Sequence, residues 1–150
     1  MIKKVDITNF NSAREIISIQ IPSYNVEAEL IDFQDIPPLK DTIETLQQCG
    51  ETFYGYYLND ELCGAISLKV ENGIIDIHRL MVHPKHFRKG IAGMLLEYIE
   101  GINEDSETIV VSTGSKNEPA INLYKRNGFS STGETRVAEH LSLTSFIKKI

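Results

Sequence analysis

Asp76 and His78 stand two residues apart in an apolar, strand-like run, Ile74–Val82. In an extended chain such residues share one face, while Ile75 and Ile77 take the other. An imidazole titrates near neutrality and suits a general base. Asp76 would need a raised pKa or a relaying water to do the same work. The run feeds Val82-His83-Pro84-Lys85-His86-Phe87-Arg88-Lys89-Gly90-Ile91-Ala92-Gly93, a basic turn that opens into a helix over 91–103. Strand, tight turn and helix N-terminus together build an anion site, because first-turn N–H groups lack partners and carry the positive end of the dipole. Gly90 and Gly93 permit close approach, and Arg88 and Lys89 add charge. A dinucleotide fingerprint needs Gly-x-Gly-x-x-Gly, and a Walker loop needs Lys then Ser or Thr after its last Gly. Neither is present.

A second stretch is Asn117-Glu118-Pro119-Ala120-Ile121-Asn122-Leu123-Tyr124-Lys125-Arg126-Asn127-Gly128-Phe129. Asn117 is a natural N-cap and Pro119 fits a first turn. Ala120, Leu123, Tyr124 and Asn127 fall on one helical stripe, and Gly128 suits the C′ position.

Both stretches, in this order, resemble motifs of the GNAT N-acetyltransferase family. The first resembles its pyrophosphate loop, Arg or Gln, two residues, Gly, one residue, then Gly or Ala, with Gly90 and Ala92 at the small positions. Phe87 stands where the family has Arg or Gln, with Arg88 beside it. The second resembles the family's Asn-x-x-Ala-x-x-Leu/Phe-Tyr-x-x-x-Gly-Phe. The resemblance covers about residues 53–150. It implies that Phe87, Arg88, Lys89, Gly90, Ile91, Ala92 and Gly93 cradle the pyrophosphate of acetyl-CoA. Leu80, Met81 and Val82 would hold the pantetheine arm and the oxyanion through their backbone. Asn117, Ala120 and Tyr124 would contact the cosubstrate, with Tyr124 as the acid beside the sulfur. The family places a catalytic Glu, or histidines, at the positions of Asp76 and His78.

The elements that must position these residues follow from pattern and punctuation. Residues 2–7 alternate as a strand. Asn9 or Asn11 caps a helix ended near Pro22, a short helical piece covers 26–31, and a helix covers 39–48. Strands follow over Thr52–Leu58, 62–71 and Ile74–Val82, the last two joined by the hairpin turn Asn72-Gly73. Ile91, Leu95, Tyr98 and Ile99 form the buried face of the next helix, and Ile109-Val110-Val111 is an interior strand. Residues 129–137 and 141–147 form a closing antiparallel pair. The order β-α-α-β-β-β-α-β-α-β-β makes the fold class α/β. By resemblance it is a mostly antiparallel seven-stranded sheet with helices on both faces, splayed between its fourth and fifth strands.

With 150 residues, 41% hydrophobic and 24% charged, the chain reads as a single domain, 1–150, with a sizeable core. A net charge of −6 and the lack of any polybasic run argue against nucleic acid and membrane partners. Cys49 and Cys63 lack metal or redox spacing, and the absence of an apolar leader points to the cytoplasm. His78, His83, His86 and His140 form no ligand pattern, so no metal is expected.

The expected activity is acetyl-CoA-dependent N-acetylation by direct transfer to the amine of a small molecule or peptide. The alternatives are a non-catalytic acyl-CoA-binding module or a longer acyl donor. The resemblance implies an acceptor pocket from 20–40 and 136–140, where Tyr24, Glu27, Glu29, Asp32 and Asp35 make an acidic segment. It also leaves a homodimer open.

Overall fold

The computed structural model describes residues 1–150. Strand β1 (Ile2–Val5) leads into helix α1 (Phe10–Ile31), and Asn9 caps it by accepting from Ser12 N at 3.1 Å. Here the structure corrects the reading. The helix does not end near Pro22, and 26–31 is not a separate piece: one 22-residue helix runs through the proline. An interior proline costs about 3 kcal/mol. Ala13, Ile16, Ile19, Gln20, Tyr24, Ala28 and Ile31 are buried along that helix. Each large apolar side chain returns about 1.5–3 kcal/mol, so packing on both sides of Pro22 outweighs the break.

Pro37–Lys40 forms a 3₁₀ turn, and α2 is only Ile43–Gln47, shorter than the expected 39–48. Asp41 is extended between them. Its carboxylate accepts from Arg79 Nη1 and Gln20 Nε2, and Thr42 restarts the helix with a capping box to Thr45.

Strands β2 (Thr52–Leu58), β3 (Glu61–Glu71), β4 (Ile74–Val82), β5 (Thr108–Gly114), β6 (Ser130–Ala138) and β7 (Leu141–Lys149) complete one sheet in the order β1-β2-β3-β4-β5-β7-β6. Asn72 and Gly73, both at positive φ, turn β3 into β4 as the dipeptide demands. Helices α3 (Ile91–Ile102) and α4 (Glu118–Arg126) flank β5 in sequence. Two core clusters result. Residues of α1 and α2 pack in one, and those of α3 and α4 in the other. Leu96, rather than the expected Tyr98, completes the buried face of α3, and Tyr98 is half-buried.

Two irregularities shape the centre. Every neighbouring pair is antiparallel except β4 and β5, which are parallel and joined only through Ile74–Thr108, Ile75–Ile109 and Asp76–Val110. Beyond Asp76 the strands part. The second is a bulge: Ser67 pairs with Arg79 and Leu68 with Ile77, which leaves His78 as the extra residue. Ile75 and Ile77 therefore face the α3 side, but Met81, also odd-numbered, packs into the α1 core.

Candidate active site

The basic turn is held from below. His86 is 8% exposed; its Nδ1 lies 2.9 Å from Lys89 Nζ. Its Nε2 points at Glu61 Oε2, 3.3 Å away, without a well-angled hydrogen bond. Lys85 Nζ grips the other oxygen of Glu61 and holds its carboxyl below the usual range. Glu61, Cys63 and His86 bring ligand atoms within 4.8 Å of one another. Two ammonium groups already satisfy that cluster and disfavour a cation there. Above this clamp, Arg88 and Gly90 adopt positive φ, 65° and 76°, and α3 begins. The amides of 88–93 donate to no group of the protein. Six consecutive free amides at a helix N-terminus fit a pyrophosphate.

Those amides border a cavity of about 480 Å³. Of the residues expected at the cosubstrate, Leu80, Val82, Phe87, Arg88, Gly90, Ile91, Ala92, Gly93, Asn117, Ala120 and Tyr124 line it. Met81 does not, because its side chain is buried in the α1 core. Lys89 does not, because it turns to His86. Arg126, Pro119 and Leu123 close the wall from α4. On the unpaired edge of β4, Leu80 N donates to Tyr24 Oη at 3.4 Å and Val82 N to Ser23 Oγ at 3.3 Å. Parting from β5 leaves these amides free of a strand partner, and α1 meets them instead.

A second cavity, of about 430 Å³, opens on the other side of the gap. The two share Tyr24, Glu27, Leu80, Asn117, Ala120 and Tyr124. Residues of α1 and α4, on opposite faces of the sheet, thus meet through the gap between β4 and β5. Tyr124 packs against Phe129 and Phe146, and burial raises its pKa, which keeps the hydroxyl protonated. Burial raises the Tyr24 pKa likewise. Glu27 accepts from Thr113 Oγ1 at 3.2 Å and Asn117 Nδ2 at 3.1 Å, both on Oε1. Burial raises its pKa despite these two bonds.

Sequence reasoning placed Tyr24 and Glu27 only in an acidic acceptor segment. An α1 read through Pro22 would have put Tyr24, Glu27, Ala28 and Ile31 on one stripe at i, i+3, i+4 and i+7. Arg79 was missed too. It lines the second cavity, with Nη1 2.6 Å from Asp41 Oδ2 and Nε 3.1 Å from Glu51 Oε1. The bulge puts His78 and Arg79 beside the same Glu51, which no alternating pattern foretells.

His78 reaches the second cavity; Asp76 lines only a neighbouring one. The two share a face, with His78 Nε2 3.4 Å from Asp76 Oδ2. Val137 and Ala138, from the expected acceptor segment 136–140, also line the second cavity, with Phe33 and Ile36 from 20–40.

The chain is 42% identical to the UPF0157 protein YqkA of Bacillus subtilis (strain 168) over 134 residues, 89% of this chain. It spans only 39% of that protein's length. It is 25% identical to the streptothricin acetyltransferase of Escherichia coli over 134 residues, 86% of this chain and 75% of that one. Its fold matches the PaiA N-acetyltransferase of Thermoplasma acidophilum in complex with coenzyme A. The TM-score is 0.77 at 17% identity, over 100% of this chain and 99% of the other. The description "Acetyltransferase (GNAT) family" belongs to the model that matches residues 13–129, which takes in α1, the parted strands, the amide-lined turn and α4. This chain belongs to the acetyltransferase (GNAT) family.

Proposed function

We propose that the chain is an acetyl-CoA-dependent N-acetyltransferase that transfers the acetyl group directly to a primary amine. The observation that carries this reading is the meeting of two cavities at Tyr124, one bordered by the free amides of 88–93. One cavity suits the donor and the other the acceptor, so both react in a ternary complex. The free amides, with Arg88 and Arg126, bind the pyrophosphate. Leu80 and Val82 hold the pantetheine arm along the edge of β4, and the Leu80 N–H stabilises the oxyanion in place of its long contact with Tyr24. Tyr124 gives its proton to the departing thiolate. Two groups stand ready for the amine's proton: His78, with Asp76 behind it, and Glu27 at the junction of the cavities. Residues 1–150 act as one catalytic domain, in the cytoplasm.

Isothermal titration with acetyl-CoA tests this, with desulfo-CoA and ADP as controls, followed by thiol release over amines that include streptothricin. Micromolar binding that needs the pyrophosphate, and release with one of the amines, are expected. Absence of binding overturns the reading. Binding without turnover on any amine favours the non-catalytic acyl-CoA module, and turnover only with a longer acyl donor revises the cosubstrate.

A further inference from the structure

We infer that the acceptor is a primary amine borne on an apolar body, that its ammonium docks on Glu27 Oε2, and that Glu27 takes its proton. The inference rests on the acetyltransferase reading above.

Most of the residues that line the second cavity are apolar. Ile31, Phe33, Ile36, Val137, Leu141 and Leu143 form its walls. Its cation, Arg79, is engaged by Asp41 and Glu51, so it offers nothing to an acidic substrate. Glu27 is different. Both of its protein donors, Thr113 and Asn117, reach Oε1, while Oε2 accepts from no group of the protein. No lysine, arginine or histidine pairs with it. The carboxylate is pinned by one oxygen and presents the other where the two cavities join, beside Tyr124. A half-buried carboxylate without a cation asks for one. An ammonium followed by an apolar chain satisfies both the carboxylate and the walls.

The titratable and charged groups around Glu27 are Tyr24 on its own helix, Tyr124 on α4, His78 and Arg79 on β4 across the second cavity, and His86, Arg88 and Arg126 along the first. Both tyrosines stay neutral, since burial raises their pKa values. Burial also makes Glu27 a stronger base than an exposed carboxylate. In the step, an N–H bond of the ammonium breaks and the proton forms an O–H bond on Glu27 Oε2. The freed lone pair attacks the thioester carbonyl carbon, a C–N bond forms and the C–S bond breaks. The thiolate takes the Tyr124 proton, and the phenolate recovers one from the acetylated nitrogen. Glu27 then releases its proton to solvent, so one amide, one thiol and one proton leave.

The test is steady-state acetylation of n-alkylamines from butyl to octyl, phenethylamine and spermidine, with acetyl-CoA affinity measured in parallel. For wild type, kcat/KM is expected to rise about fourfold per added methylene until the cavity is filled. Phenethylamine is expected to exceed spermidine. Glu27→Gln is expected to lower kcat/KM at least a hundredfold and to remove the acidic limb of its pH profile, with acetyl-CoA affinity unchanged as proof of folding. Glu27→Asp, shorter but charged, recovers part of the loss. His78→Ala retains the acidic limb. A Glu27→Gln enzyme within threefold of wild type overturns the inference, as does a preference for spermidine or inactivity toward every apolar amine despite bound acetyl-CoA. Failure to bind acetyl-CoA at all is a separate result, and it sinks the acetyltransferase reading itself.

Discussion

Asn117 uses both ends of its side-chain amide: Oδ1 accepts from Ala120 N at 3.3 Å and caps α4, while Nδ2 donates to Glu27 Oε1 at 3.1 Å. One residue thus starts the helix that carries Tyr124 and pins the carboxylate that faces it. Substitutions separate the two tasks. Asn117→Ser keeps a capping oxygen but is too short to serve Glu27. Its stability is expected to stay near wild type, while Asn117→Ala loses about 1 kcal/mol with the cap. A lost donor raises the Glu27 pKa further, so the acidic limb of kcat/KM moves to higher pH in both variants. A pH profile that coincides with wild type refutes the coupling.

Glu27 also leaves a mark on stability. Burial raises its pKa on folding from an unfolded value near 4.3. The folded chain therefore holds the proton more tightly. The stabilisation is fully present below about pH 4 and is lost as pH rises through the folded-state pKa. Glu27→Gln is expected to melt above wild type at pH 8 and to lose that margin at pH 4. Calorimetry at the two pH values decides it, and an equal difference at both means that Glu27 ionises as if solvated.

Gly90 tests the anion turn. Its φ of 76° favours glycine, yet a Cβ there would meet nothing within 4 Å. Gly90→Ala therefore carries only backbone strain, about 1 kcal/mol. Gly90→Glu places a like charge before the free amides and is expected to weaken acetyl-CoA binding at least a hundredfold by titration. Retained binding in the Glu variant moves the pyrophosphate elsewhere.

Tyr124→Phe removes one hydroxyl from a side chain packed on Phe129 and Phe146. About a hundredfold loss of kcat is expected, with acetyl-CoA affinity within twofold of wild type. An unchanged kcat reduces Tyr124 to a packing residue.

Arg79 is 11% exposed and joins Asp41 on the α2 side to Glu51 before β2. Arg79→Leu strands two poorly solvated carboxylates and is expected to cost about 3 kcal/mol in urea unfolding. Arg79→Lys keeps the charge but loses the fork, and an intermediate loss is expected. A loss under 1 kcal/mol in the Leu variant means that solvent already screens the pair.

The sequence by itself determined what short-range chemistry controls. Asn72-Gly73 demands a tight hairpin, Asn117 caps the amide of Ala120 just beyond it, and the turn before Ile91 exposes its amides to whatever binds there. Each depends on contacts within a few residues, so residue type and spacing suffice. That is why the seven strands and the order of elements were readable, and with them the turn before Ile91 and the place of Tyr124 on its helix. The tertiary structure alone decided the rest. Pro22 reads locally as a break, and only burial along α1 overrules it. The bulge at His78 appears only against Ser67 and Leu68 of the neighbouring strand, and it alone brings Arg79 to Glu51. Glu27 meets Asn117 across 90 residues of chain, through a gap that exists because β4 and β5 part after Asp76. A local pattern holds no record of such partners, because their free energy comes from surfaces that meet only once the sheet has formed.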